Sequence, residues 1–77
     1  ILWKKSRIGL GVWKKRFFEQ SGVWMYYFKN EGDPHARNRF SLLDIREVSK
    51  RFHNSMGPCV GVVVPQRLYV LSPGKNA

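Results

Sequence analysis

The sequence predicts a mainly β protein: a seven-stranded antiparallel barrel or sandwich forming one domain over residues 1–77. Two observations carry that reading. Short runs rich in aromatic and β-branched residues recur at regular spacing, with Gly, Pro and Asn between them. No stretch carries the period of a long amphipathic helix. Hydrophobic residues make up 43% of the chain and aromatics 14%, enough for a folded core, although 77 residues is near the size at which one core becomes marginal.

Ile1-Leu2-Trp3-Lys4-Lys5 reads as the first strand, with Leu2 and Lys4 on one face. Ser6 to Val12, with Gly9 and Gly11, reads as a hairpin loop. Trp13 to Glu19 is the second strand. Lys14, Arg16 and Phe18 share one of its faces, and Trp13, Lys15 and Phe17 the other. The first of these faces runs from two cations to a large ring, as a strand does when it enters a core from a basic rim. Gln20-Ser21-Gly22 is a turn. Val23 to Phe28 is the third strand, with Val23, Met25 and Tyr27 opposite in sense to Trp24, Tyr26 and Phe28.

Asn30-Glu31-Gly32-Asp33-Pro34 is a loop, and Arg37 to Leu43 a fourth strand with Phe40 and Leu42 on one face. Asp44 to Ser49 reads as a short fifth strand, with a helical turn as the alternative because Leu42, Leu43, Ile45 and Val48 also fit a period near 3.6. Lys50 to Pro58 reads as a loop. Cys59 to Val64 and Arg67 to Leu71 are the sixth and seventh strands. Between them Pro65-Gln66 predicts a loose connection, since the favoured two-residue hairpin turns need a positive φ that Pro cannot adopt. Residues 72–77 form a tail.

The net charge is +9, and it is uneven. Residues 1–16 hold Lys4, Lys5, Arg7, Lys14, Lys15 and Arg16 with no acid, whereas residues 29–51 hold six bases against four acids. A concentrated positive field implies an anionic partner: phospholipid headgroups, nucleic acid or an acidic protein surface. The alternative is a solvated basic surface that serves solubility.

Enzyme chemistry finds little support. His35 and His53 fall in predicted loops, with no second carboxylate or cysteine at metal-ligand spacing, and Asp33-Pro34-His35 is most simply a turn. Cys59, the single cysteine, opens an apolar strand and suits a small buried side chain; alone, it excludes an internal disulfide. No Gly-rich phosphate loop opens a helix. The reading is a non-enzyme with no cofactor and no metal. No apolar run reaches membrane-spanning length. The chain opens on Ile1, not Met, and is expected to be a piece of a longer protein.

In order and spacing, these strands resemble a pleckstrin homology domain. Ile1-Leu2-Trp3-Lys4 is similar to that family's opening strand, and Trp13 to Phe18 to its second. Trp24-Met25-Tyr26-Tyr27-Phe28-Lys29 resembles the third strand, and Phe40-Ser41-Leu42 the apolar-x-Leu of the fourth. Val60, Val62, Val64, Arg67, Tyr69 and Leu71 fit the last hairpin. The family's C-terminal capping helix is absent here or outside the fragment, and a glycine common before the fourth strand is Asn38.

The resemblance implies a phosphoinositide site. Members that bind these lipids use a Lys, a variable loop, then a basic-x-Arg pair; Lys4 followed by Lys14 and Arg16 meets that pattern. A hairpin between the first two strands brings Lys4 beside Lys14 and Arg16 at the barrel mouth, where Arg16 offers a bidentate fork and the lysines act as point charges. Tyr27 and Arg37 fall where the family places a phosphate-binding hydroxyl and a further basic contact; Tyr27 is equally a core ring with its hydroxyl at the rim. Lys5, Arg7 and Lys15 would reach a membrane surface, and Ile8, Leu10 or Val12 could dip into it.

The implied function is membrane targeting. The module would bind phosphoinositide or other anionic phospholipid and sit peripherally at the cytoplasmic face. The alternative is a protein-interaction module with an incidental basic surface, using exposed strand edges. Nucleic-acid binding is a further alternative that the sequence disfavours. The RNA-binding strand signature needs glycines between its aromatics, and Trp13–Phe18 and Trp24–Phe28 have none.

Overall fold

A computed structural model of the chain describes residues 1–5 and 12–74. The predicted fold class is what forms: seven antiparallel strands in one sheet. They are β1 (Leu2–Lys5), β2 (Trp13–Ser21), β3 (Trp24–Phe28), β4 (Asn38–Ser41), β5 (Glu47–His53), β6 (Gly57–Val64) and β7 (Arg67–Ser72), in the order β4-β3-β2-β1-β7-β6-β5. The first strand therefore lies between β2 and β7, and the sheet stays open, with β4 and β5 as its two edges.

Strand parity sets the core. Phe18 pairs with Tyr27, Met25 with Phe40, and Val62 with Tyr69. Directly opposed residues point the same way, so these positions fill one face. Tyr27, Phe40, Val62, Val64 and Tyr69 are buried, with Phe18, Met25, Leu42, Ile45 and Leu71 packed against them. Tyr69 joins the two halves of the sheet. Its ring stacks on Phe40 at 4.8 Å between centroids and meets Tyr27 edge-on at 6.0 Å. Burying rings of this size stabilises the fold by roughly 1.5–3 kcal/mol each.

The opposite face has a smaller buried cluster. Ser72 is fully buried; its hydroxyl lies 3.3 Å from the Met56 carbonyl and 3.2 Å from that of Pro58, and accepts the Gly74 N–H at 3.0 Å. Trp3 closes over Gly74, where an added Cβ would sit 3.1 Å from the indole nitrogen. Trp13 meets His53 edge-on at 5.2 Å. Cys59 is buried, as its apolar strand predicts.

Several boundaries differ from the sequence reading: β2 runs on to Ser21, β6 starts at Gly57, and Ser72, assigned to the tail, belongs to β7. The fourth strand stops at Ser41, and Leu42–Asp44 form a 3-10 turn instead of strand; the Ser41 hydroxyl caps it by accepting the Leu43 N–H. The fifth strand expected over residues 44–49 does form, but from Glu47; of the helical alternative only this turn is present, and Val48 lies in the strand. The fifth strand then runs to His53, through residues read as a loop. Their polarity misled because this edge strand is exposed on both faces over Lys50, Arg51 and Phe52. Finally, Val64 pairs with Arg67, so Pro65-Gln66 is a tight two-residue turn, not a loose connection. No non-Gly described residue has positive φ, so this turn closes without one. The five β6–β7 rungs around buried Val62, Val64 and Tyr69 hold the hairpin in place of favoured turn geometry. Asn38 accordingly needs no left-handed backbone.

Candidate anion-binding site

The β1–β2 ladder places the basic residues. Leu2 pairs with Arg16 and Lys4 with Lys14, so Lys14 and Arg16 lie on the same face as Lys4, the face that continues to Phe18 and Tyr27. Lys15 pairs with Trp3 and Trp13 with Lys5, on the other face. Burial does not follow the faces alone, for Lys14 on the core face is exposed, as is Lys15 on the other. Lys4 is 7% exposed and Arg16 9%, whereas Lys15 is open to solvent. A lysine and an arginine are seldom so buried without an acidic partner.

Among the described residues Lys4 has no such partner. Its ammonium sits 5.2 Å from the centre of the Tyr27 ring, a cation–π contact. Burial, followed by the neighbouring charges of Arg67, Arg16, Lys14 and Arg37, lowers its pKa from 10.5 to about 8. Each charge that lowers it is positive. The site therefore holds a cation under stress from desolvation and from four like charges.

Arg16 is held by its own strand. One terminal nitrogen donates to the Lys15 carbonyl at 2.9 Å, while its Nε is buried with no hydrogen-bond partner. A buried donor left unpaired costs about 1–3 kcal/mol, which an oxyanion at this position would recover. Arg37 enters from the chain before β4. Its backbone N–H donates to the Tyr27 carbonyl at 2.7 Å, which fixes where its exposed side chain starts.

Tyr27 itself is 5% exposed, tilted on Phe18 at 5.3 Å and edge-on to Tyr69. It serves as a core ring beneath Lys4. An open depression of about 520 Å³ lies beside the cluster, lined by Lys14, Lys15, Arg16, Phe17, Lys29 and Asn30.

Of the residues singled out in the sequence, Lys4, Lys14, Arg16, Tyr27 and Arg37 come together. Lys5 and Lys15 lie on the opposite face, and Arg7, Ile8 and Leu10 fall outside the described residues; Val12 is exposed. Two cations were missed. Lys29 borders the depression. Arg67 exerts the largest charge effect on Lys4, and its guanidinium lies 4.3 Å from the Tyr69 ring centre. Arg67 shares parity with Tyr69 and Leu71, and Leu71 pairs with Lys4. That parity was the available signal, but it points to Lys4 only once β7 is known to run beside β1.

Arg39, by contrast, is spent elsewhere. It stacks over Trp24 at 4.0 Å on the outer side of β3 and β4. Among the described residues no three His, Cys, Asp or Glu side chains group as a metal site, and no helix is long and apolar enough to cross a membrane. No protein-family model matches the chain, and no curated protein matches it either.

Proposed function

We propose that the chain is a pleckstrin-homology-like module that targets a larger protein to anionic membrane by gripping a phosphorylated inositol headgroup. The observation that carries this reading is the convergence of Lys14, Arg16, Arg37 and Arg67 on a buried Lys4 with no acid among them. Such a cluster destabilises the free protein and is relieved by a multiply charged anion. Arg16 supplies an unpaired buried donor and a planar fork; Lys4 supplies a strained charge that the anion stabilises. Lys5 and Lys15, on the other face, add general attraction to an anionic leaflet, about 1 kcal/mol for each basic residue near the surface. The module acts peripherally, at the cytoplasmic leaflet where phosphorylated inositol lipids are displayed, and it has no catalytic role.

The test is competition. Protein bound to phosphoinositide vesicles is challenged with soluble inositol polyphosphate or with single-stranded RNA of equal total charge at fixed salt. Release by the inositol polyphosphate alone supports the reading. Equal release by both reduces the cluster to a general polyanion surface, and preferential release by RNA favours nucleic acid.

A further inference from the structure

The strand at the far end of the sheet carries a second surface. β5 is seven residues long and pairs along one side with β6 in seven rungs, from Glu47 opposite Val63 to His53 opposite Gly57. Among the described residues its other side has no neighbouring strand. Val48, Lys50 and Phe52 share one face of β5. It is the face of the core, since Val48 stands opposite buried Val62. Yet Val48 is 62% exposed and Phe52 73%, with Lys50 exposed between them. Val60, opposite Lys50, is also exposed. A long edge with uncovered apolar side chains is a template for strand addition.

We propose that the β5 edge docks an extended, acidic segment of another protein, one that reads apolar-x-acid-x-apolar. The added strand sets its apolar residues against Val48 and Phe52 and its carboxylate against Lys50. The pattern is symmetric, so it holds for either strand direction.

A second copy of this chain fits poorly. The antiparallel register that sets Val48 against Phe52 of another copy and the parallel register that sets Val48 against Val48 both set Lys50 against Lys50. Like charges directly opposed across a ladder are destabilising. A shift of two residues sets Lys50 against an apolar residue, and a shift of one turns the apolar side chains to the other face. Two chains of charge +9 also repel as wholes. An acidic heterologous strand meets none of these obstacles.

The experiment titrates the isotopically labelled 77-residue chain with a capped peptide containing Val-Ser-Glu-Ser-Phe. Saturable shifts and slowed hydrogen exchange confined to amides of residues 47–53 are expected. Lys50→Glu should weaken binding at least tenfold, and a Val-Ser-Lys-Ser-Phe peptide should restore it. The proposal is overturned if the β5 outer-edge amides are already protected without peptide. It is equally overturned if the chain dimerises through β5, if the peptide shifts only the residues around Lys4, or if Lys50→Glu binds the acidic peptide unchanged.

Discussion

Lys4 and Lys14 stand directly opposite one another across the β1–β2 ladder, and Lys4 is the buried member of the pair. Like charges in that arrangement work against the hairpin. The ladder forms because the surrounding residues outweigh the repulsion: Leu2 beside it on β1, and Tyr27 and Leu71 beneath and alongside Lys4. In the proposed function, the bound anion relieves this repulsion.

Replacing the buried cation should also relieve that repulsion. Lys4→Met keeps an unbranched side chain, one heavy atom shorter, and removes the charge. The variant should be more stable than the parent at pH 7, by about 1 kcal/mol, as when buried charges give way to apolar groups of similar volume. It should at the same time lose headgroup binding. Thermal unfolding and vesicle sedimentation on the same sample check both directions.

Two neighbouring cations on β2 should behave differently. Arg16→Ala removes a buried fork on the core face, and should reduce phosphoinositide binding at least tenfold with a smaller effect on phosphatidylserine. Lys15→Ala removes an exposed charge from the opposite face. It should weaken binding to every anionic vesicle alike, by about 1 kcal/mol or less. Sedimentation with both lipid compositions separates the cases.

The lowered pKa of Lys4 gives a pH signature. Between about 8 and 10.5 the unfolded chain holds a proton that the folded chain has released, so this group makes stability rise with pH across that window. Below about 8 both states are protonated and its penalty is fully felt. Anion binding has the opposite sense, since it favours the charged ammonium: affinity should fall as pH rises through about 8, and binding near pH 8.5 should take up a proton. Calorimetric titrations in buffers of differing ionisation enthalpy measure that uptake, and Lys4→Met should abolish it.

Ser72 is a stability position away from the site. It is fully buried, and its one hydroxyl proton serves the Met56 and Pro58 carbonyls while its oxygen receives the Gly74 N–H. Ser72→Ala should cost about 1–3 kcal/mol, because buried backbone groups lose their partner. Headgroup affinity of the folded protein should be unchanged. Denaturant unfolding reads the first effect and titration the second.

Much of this was legible locally. Parity within Trp13–Phe18 separated Arg16 from Lys15 before any pairing was known, because an antiparallel ladder preserves it. Tyr27, Phe40 and Tyr69 follow from alternation in the same way. What alternation cannot show is which strands become neighbours. Arg67 reaches Lys4 only because β7 returns beside β1, a pairing between the two ends of the chain. The C-terminal half of β5 was hidden for another reason: an edge strand exposed on both faces has no burial pattern to display. The Pro65-Gln66 turn was misread because local turn preference yields to the packing of Val64 and Tyr69.

Vesicle sedimentation at matched surface charge tests the central claim most directly, with phosphoinositide in one set and phosphatidylserine in the other at one ionic strength. If the Lys4 cluster is a headgroup pocket, the parent protein will prefer the phosphoinositide vesicles at least tenfold, and Arg16→Ala will erase that preference while leaving residual binding to both. Equal partitioning of the parent protein between the two sets, or a preference that survives Arg16→Ala, would contradict it.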